Sequence, residues 1–500
     1  MIFRSISFFS YLNHNLLPPP IRKTIQYLPS VIFPAIFNLL LIATAGRYIS
    51  AGELGIYYLK LSIVNLGAII FGNWMQQSIV RFESGGVDIL EEKRSFHLLF
   101  LLFSSIVILS ISISVKGLSN VMSSLDLIDS FIVALIVVEI WYKNFMSVLQ
   151  SENNANEYSI FTSIFYGLRY FIAWFLFWYY GLLSHVSLLI GWLVAEILVV
   201  MIIFFRLSYH QHIHLLRAFI FQLKRHKSKF LKYSSYGLPM LGFMLISEAR
   251  PFADRVIIMF FQQEAQVGVH GSNYTLGINA ISLISLPLLL SFHTHLMSIA
   301  NSVPFDSDFF KMNLRNAMKI YLILTTIVSV TIIPNSMFFS EFIFGKELGS
   351  GFYVIPLTML GSLITGLSIY AGKGLEATQR TVTMLIANCI IFIVAVSTTV
   401  IFVYYFGYIG AAYGYIAAGV VSVPLFTYLT SRKYRTAIPG FAFSFMIIMF
   451  LLSYIVAGLD IGAELKFIGS MLLVLASIVY LFKNIETLNS TLKTSISLME

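Results

Sequence analysis

Charge is what this sequence most lacks: Asp, Glu, Lys and Arg make up 11% of its 500 residues, against about 25% in soluble chains. With 58% hydrophobic residues before its 31 glycines are counted and a mean hydropathy of +0.84, that shortage excludes an ordinary soluble enzyme, a disordered chain and a peripheral membrane protein. Cysteine is nearly absent too. The single Cys389 excludes an intramolecular disulfide and a cysteine-rich metal cluster. Alternating ten-residue strands are missing, which argues against a β-barrel. So are catalytic signatures: there is no His-Glu-x-x-His and no Gly-x-Ser-x-Gly. Gly372-Lys373-Gly374 has the look of a phosphate loop, but position 367 is Leu and position 374 is Gly where Ser or Thr is required, so ATP hydrolysis is unsupported. His210, His212 and His214 alternate in a polar connection and would diverge on a helix, which favours a surface reading over metal binding. We therefore expect no enzyme, no metal and no cofactor. Met1–Pro20 has one early positive charge, Arg4, and no Ala-x-Ala-like cleavage site, which reads as an uncleaved amphipathic segment on the cytoplasmic side.

What is present is a series of apolar runs of about 20 residues, the length that crosses a bilayer as a helix. A hydropathy window predicts fourteen helices, centred near Phe37, Leu66, Ile106, Val137, Ile172, Ala195, Ile246, Ser282, Ile327, Leu363, Val394, Ala418, Phe450 and Leu473. The fold class is an all-α polytopic membrane protein. Its expected organisation is an amphipathic segment at 1–24, a first lobe of helices 1–6 at 25–207, and a basic cytoplasmic linker at 208–233. A second lobe of helices 7–12 follows at 234–431, then two additional helices at 432–483 and a cytoplasmic tail at 484–500. Of the 32 Lys and Arg residues, 23 fall on the side of the amino terminus and four (Arg47, Lys116, Lys346, Lys466) on the other. This asymmetry places both termini in the cytoplasm. It also accounts for most of the net charge of +9 without a nucleic-acid partner.

The chain is internally duplicated. Leu149-Gln150-Ser151-Glu152 leads to Trp178-Tyr179-Tyr180-Gly181 as Leu375-Glu376-Ala377-Thr378 leads to Tyr404-Tyr405-Phe406-Gly407, with the same 32-residue separation from Leu to Gly. Leu28-Pro29 leads to Glu53-Leu54-Gly55-Ile56 as Leu238-Pro239 leads to Gln266-Val267-Gly268-Val269. Order and sidedness are kept, so helices 1–6 and 7–12 are expected to be parallel, pseudo-symmetric six-helix lobes with helices 13 and 14 appended. A cleft between two such lobes can open to either side in turn.

Gly46-Arg47-Tyr48-Ile49-Ser50-Ala51-Gly52-Glu53-Leu54-Gly55-Ile56-Tyr57 resembles the first outer loop of polysaccharide-export flippases, and Gln76-Gln77-Ser78-Ile79-Val80-Arg81-Phe82 the end of their second helix. Tyr236-Gly237-Leu238-Pro239 with Asp254-Arg255 is similar to their seventh helix, and Phe406-Gly407-Tyr408-Ile409-Gly410-Ala411-Ala412 to the turn before their twelfth. Over about residues 25–435 the chain thus resembles the Wzx-type O-antigen flippases of the multidrug/oligosaccharidyl-lipid/polysaccharide (MOP) exporter superfamily. The resemblance implies a V-shaped two-lobed bundle in the bacterial inner membrane. It implies alternating-access transfer of undecaprenyl-pyrophosphate-linked oligosaccharide units, of O-antigen or capsule, to the periplasmic leaflet. The implied partners are the lipid-linked oligosaccharide, membrane lipids, and polysaccharide polymerase and chain-length proteins. A multidrug/cation antiporter of the same superfamily is the alternative, and a membrane polysaccharide polymerase or acyltransferase a more distant one. No counterpart of Asp254-Arg255 is found in the first lobe, so the two cavity walls should differ in charge.

Nine ionisable residues fall inside the predicted spans: Lys60, Glu139, Lys143, Arg169, Glu196, Glu248, Arg250, Asp254 and Arg255. Facing lipid they would cost on the order of 20–30 kcal/mol together, so they must mostly face protein or water. Arg250, Arg255 and Lys60 are the candidate contacts to pyrophosphate or acidic sugars, because a guanidinium offers a planar fork of donors and Lys a point charge. Arg47 is the candidate for headgroup contact at the outer mouth. Asn73 and Gln76, with Asn65, share a face of helix 2 from which they could bond sugar hydroxyls, and Lys60 points away from it. Arg250 and Asp254, four residues apart, are placed to pair. Pro251 favours a kink. Glu139 and Lys143 read as a buried structural pair. Glu196, Glu248 and Asp254 are the candidates for ion coupling.

Overall fold

The computed structural model describes residues 28–83, 90–119, 130–152, 154–207, 227–300, 306–378, 380–459 and 462–497. The amino-terminal segment, positions 208–226 of the basic linker with its three histidines, and residues 498–500 of the tail lie outside the described residues. Each of the fourteen expected centres lies in a long helix. These are α1 (Pro29–Tyr48), α2 (Ala51–Ala68), α3 (Leu90–Ser119), α4 (Ser130–Ser151), α5 (Ala155–Tyr179), α6 (His185–Arg206) and α7 (Lys227–Phe261). They continue with α8 (Glu264–Ala300), α9 (Ser307–Ile332), α10 (Val354–Ala371), α11 (Thr381–Phe406), α12 (Ile409–Leu429), α13 (Gly440–Gly458) and α14 (Ala463–Ser497). Eleven of the described helices are long and apolar enough to cross a membrane. The second helix goes on past α2 through a π-helical stretch, Ile69–Asn73, into Trp74–Glu83. Short helices at Ser336–Phe344, Lys346–Gly349 and Lys373–Ala377 extend the ends of longer ones.

The helix starts follow from local chemistry. Ser50 accepts from the Glu53 amide (3.3 Å), Asn154 from the Glu157 amide (3.3 Å), and Asp306 from the amides of Asp308 and Phe309 (2.9 Å each). Each cap satisfies first-turn donors that would otherwise be stranded near an apolar medium. Glu53 in turn accepts from the His185 amide (2.7 Å), which fixes the start of α2 to the start of α6.

The duplication is visible in the packing. α1 packs on α5, α2 on α4, α4 on α6 and α5 on α6, and the same pairings recur as α7 on α11, α8 on α10, α10 on α12 and α11 on α12. α5 and α11 begin 226 residues apart, at Ala155 and Thr381. They end at Gly181 (φ 60°) and Gly407 (φ 63°), separated by the same interval and both in the left-handed region. The exposed rings of Trp178, Tyr179 and Tyr180 match those of Tyr404, Tyr405 and Phe406 at that interval, forming an aromatic belt of the kind found at a membrane–water boundary. α13 and α14 pack on α9 and leave most of their apolar surface outward, as lipid-facing helices do.

The two lobes meet mainly through α2 and α8. Gly55 and Gly268, equivalent positions of the duplication, touch the other lobe backbone to backbone. A Cβ on Gly55 would lie 1.9 Å from the Glu264 carbonyl oxygen, and one on Gly268 2.0 Å from that of Ala51. Arg47 donates to the Phe342 carbonyl (2.9 Å) and the Ala51 amide to Glu347 Oε1 (3.2 Å), so the lobes are sealed at the end that is poor in Lys and Arg. At the basic end the contact is polar. Ser78 donates to the Tyr233 carbonyl (2.8 Å), Tyr233 OH donates to Glu83 Oε1 (2.7 Å), and His97 Nε2 lies 2.8 Å from the same oxygen. Burial opposes the charge on Glu83, but His97, the hydrogen bonds from His97 and Tyr233, and nearby Lys229 outweigh it. They hold this carboxyl below the usual carboxylate range.

Candidate functional site

A cavity of about 300 Å³ lies where the inner faces of α1, α2, α4, α5 and α6 meet α7 and α8. Three cations line it, Lys143, Arg169 and Arg255, against one carboxylate, Glu139. Around them stand the amides Asn38, Asn65 and Asn279 and the rings of Tyr57, Tyr58, Tyr142, Tyr166 and Trp192. Lys143 Nζ is 2.9 Å from Glu139 Oε1, one helical turn back along α4. Arg169, buried on α5, donates from Nη2 to the Tyr57 hydroxyl, and its guanidinium lies 4.7 Å from the centre of the Trp192 ring. Arg255 crosses between the lobes: Nη1 donates to the Tyr58 carbonyl (2.9 Å) and to Ser62 Oγ, with the guanidinium 5.2 Å from the Tyr58 ring. Glu196 sits behind the wall, fully buried, with its carboxyl within hydrogen-bonding reach of that of Glu139.

The structure distributes the residues singled out in the sequence. Arg255 reaches the inter-lobe cavity. Arg250 lines a second cavity, of about 210 Å³, within the second lobe. There its guanidinium lies 4.4 Å from the centre of the Tyr415 ring. Arg250 and Asp254 attract each other across one turn of α7, and Asp254 also accepts from Thr399 Oγ1 at 3.0 Å. α7 runs unbroken through Pro251. Lys60 is buried, 6% exposed, and lines neither cavity. Asn73 is buried and accepts from Gln76 Nε2 (3.1 Å), so the two amides serve each other while Asn65 alone of that face lines the cavity. The π-helical stretch between Asn65 and Asn73 explains the separation, since its extra residue per turn rotates everything beyond it. Arg47 ties α1 to the helix Ser336–Phe344 of the other lobe. Glu248 is half-buried, within electrostatic reach of Lys143 and Arg255.

Sequence reasoning treated Glu139 and Lys143 as a structural pair and gave Arg169 no role, yet all three line the cavity. The duplication carries the signal that would have found them. Of the seven lining residues on α4–α6, six (Glu139, Tyr142, Lys143, Phe165, Tyr166, Trp192) fall 226 residues before Thr365, Ser368, Ile369, Ile391, Phe392 and Ala418, which line the second cavity. The two cavities are one site built twice. The first copy carries ionisable groups where the second has Thr, Ser, Ile and Phe, and α10, α11 and α12 contain no Asp, Glu, Lys or Arg. The expectation that the two walls differ in charge is met at these positions, with the charge of α4–α6 in the first lobe and that of α7 in the second.

No protein-family model and no curated protein sequence matches the chain. Solved structures do. Lipid II flippase MurJ in an inward closed conformation matches with a TM-score of 0.70 and 19% identity, over 92% of this chain and 99% of that one. An inward-facing multidrug resistance MATE family transporter of the MOP superfamily matches with a TM-score of 0.58 and 14% identity, over 85% and 98% of the two chains. A MOP superfamily transporter from Pyrococcus furiosus, whose binding pocket is described as of reverse polarity, gives 0.53 and 14%, over 83% and 96%. The chain therefore has the two-lobed, all-helical, multi-pass fold of these structures.

Proposed function

We propose that the chain is a flippase for lipid-linked oligosaccharides carrying a pyrophosphate, of the Wzx type, moving O-antigen or capsule units across a bacterial inner membrane. One observation carries this reading: three cations supplied by both lobes converge on a cavity that holds a single lining carboxylate. Fixed guanidinium and ammonium donors compensate a phosphate for the water it loses on entering the membrane, while rings and amides suit sugar faces and hydroxyls. At about 300 Å³ the cavity is at the lower end of small-molecule sites, enough for a headgroup while the polyprenyl tail stays in lipid. A cationic drug would meet a net positive wall, which weighs against the antiporter reading. The positive-inside asymmetry supports cytoplasmic termini, and segments 25–207 and 234–431 are the bodies that would rock about the α2–α8 contact.

If transport is ion-coupled, Glu196 is the carboxylate of choice, since it is fully buried beside Glu139 and the two carboxyls can share a proton. Asp254 is committed to Thr399. The test is a clean deletion of the gene: lipid-linked oligosaccharide should accumulate on the cytoplasmic leaflet, and normal exposure on the outer leaflet would remove the proposal.

A further inference from the structure

We propose that the second-lobe cavity, bounded by α7, α10, α11 and α12, is a separate binding site for a small anion of the carboxylate or phosphate class. Its one interior cation, Arg250, stands in a wall whose other three helices bear no charge. The Nε of Arg250 is buried without an acceptor, and so is the hydroxyl of Thr365 in the same cavity. Asp254, one turn on along α7, attracts Arg250 while it accepts from Thr399, Tyr415 takes one hydrogen bond of the guanidinium, and Glu376 at the rim is 2.7 Å from Lys373 Nζ. Asn388 gives one amide hydrogen to the Met384 carbonyl (2.8 Å) and keeps a second for the cavity. A guanidinium, a hydroxyl and an amide with donors to spare form a donor set, and an anion is what such a set lacks. The first-lobe copy of this cavity supplies a lining counter-charge to Lys143 in Glu139; here Asp254 attracts Arg250 from outside the lining, and the ligand would supply the counter-charge inside it. At about 210 Å³ the space suits one charged sugar or a phosphate, not an oligosaccharide. The anion can come from an acidic sugar of a translocated unit or from free phosphate.

The test uses the purified full-length protein and reads how its unfolding temperature rises with glucuronate, inorganic phosphate or neutral glucose. Glucuronate or phosphate should stabilise the wild type, with glucose inert. Arg250→Gln should weaken the apparent affinity about tenfold to a hundredfold, as expected for loss of a charge-assisted hydrogen bond. Stronger action of glucuronate assigns the site to an acidic sugar, and of phosphate to the free ion; both support the proposal. Should Arg250→Gln not fold, Thr365→Val and Arg250→Lys must each shift the dose dependence. An unchanged response in the folded variants, equal stabilisation by glucose, or no response of the wild type overturns it. Lys143, Arg169 and Arg255 do not line this cavity, so its failure leaves the inter-lobe reading standing, and a failure of translocation leaves this site standing.

Discussion

Arg255 holds two acceptors of the opposite lobe, so it acts in this state both as a cavity cation and as a strut between lobes. A phosphate entering the cavity would compete for the same donors. Arg255→Ala should therefore reduce translocation by about tenfold or more at unchanged protein level, and Arg255→Lys should recover part of it by keeping the charge without the fork; surface polysaccharide measured in a complemented deletion strain decides this. Glu196→Gln keeps shape and removes the ionisable group. In vesicles with an imposed proton or sodium gradient, the wild type should respond and the variant should not; a variant that still responds removes Glu196 from the coupling role. At this scale the sequence was legible for which residue types matter and less so for where they meet. Arg250 and Arg255 are five residues apart yet line different cavities. Asn65 and Asn73 share a face of an ideal helix and are parted by a π-helical stretch that no composition signal announces.

Helices α2 and α8 close the Lys- and Arg-poor end because neither Gly55 nor Gly268 has a side chain to hold the backbones apart. Gly268→Val should push that end open. With Cys389 replaced by Ser, a cysteine introduced at Ala51, which is buried at this contact, should be protected from a membrane-impermeant maleimide in the parent and labelled in the Gly268→Val variant; protection in both would mean that the contact is not a seal. At the opposite end, Glu83 links the end of the second helix, α3 and the start of α7. Its carboxyl is held below the usual range, so the stabilisation it gives is present above an unfolded value of about 4.3 and is lost as the pH falls through its lower folded value. Unfolding followed from about pH 6 to about pH 3 should show an acid-side loss that Glu83→Gln flattens. Glu83→Ala, which strands Tyr233 OH, should cost on the order of 2–3 kcal/mol at neutral pH.

The molecule as a whole was the most readable level. Long apolar helices and the duplication are properties of hydropathy and of repeated short strings, and both survive in one sequence. All fourteen expected centres fall in long helices, and the Leu149–Gly181 and Leu375–Gly407 correspondence extends to matched helix starts, matched positive-φ glycines and matched cavity walls. What stayed hidden was the division of labour between the copies. Glu139, Lys143 and Arg169 belong to an inter-lobe cavity only because α7 and α8 bring Arg255, Thr275 and Asn279 against them, a contact across more than eighty residues of chain. The account's central claim, that this cavity passes a pyrophosphate-linked saccharide, is tested most directly by reconstituting the purified protein in vesicles. The vesicles are loaded with fluorescent undecaprenyl-pyrophosphate oligosaccharide, and its arrival in the opposite leaflet is followed. Transfer by the wild type, lost in a Lys143→Ala, Arg255→Ala double variant and absent for a lipid-linked sugar without phosphate, is the predicted result; equal transfer by the double variant, or no transfer by the wild type, would contradict it.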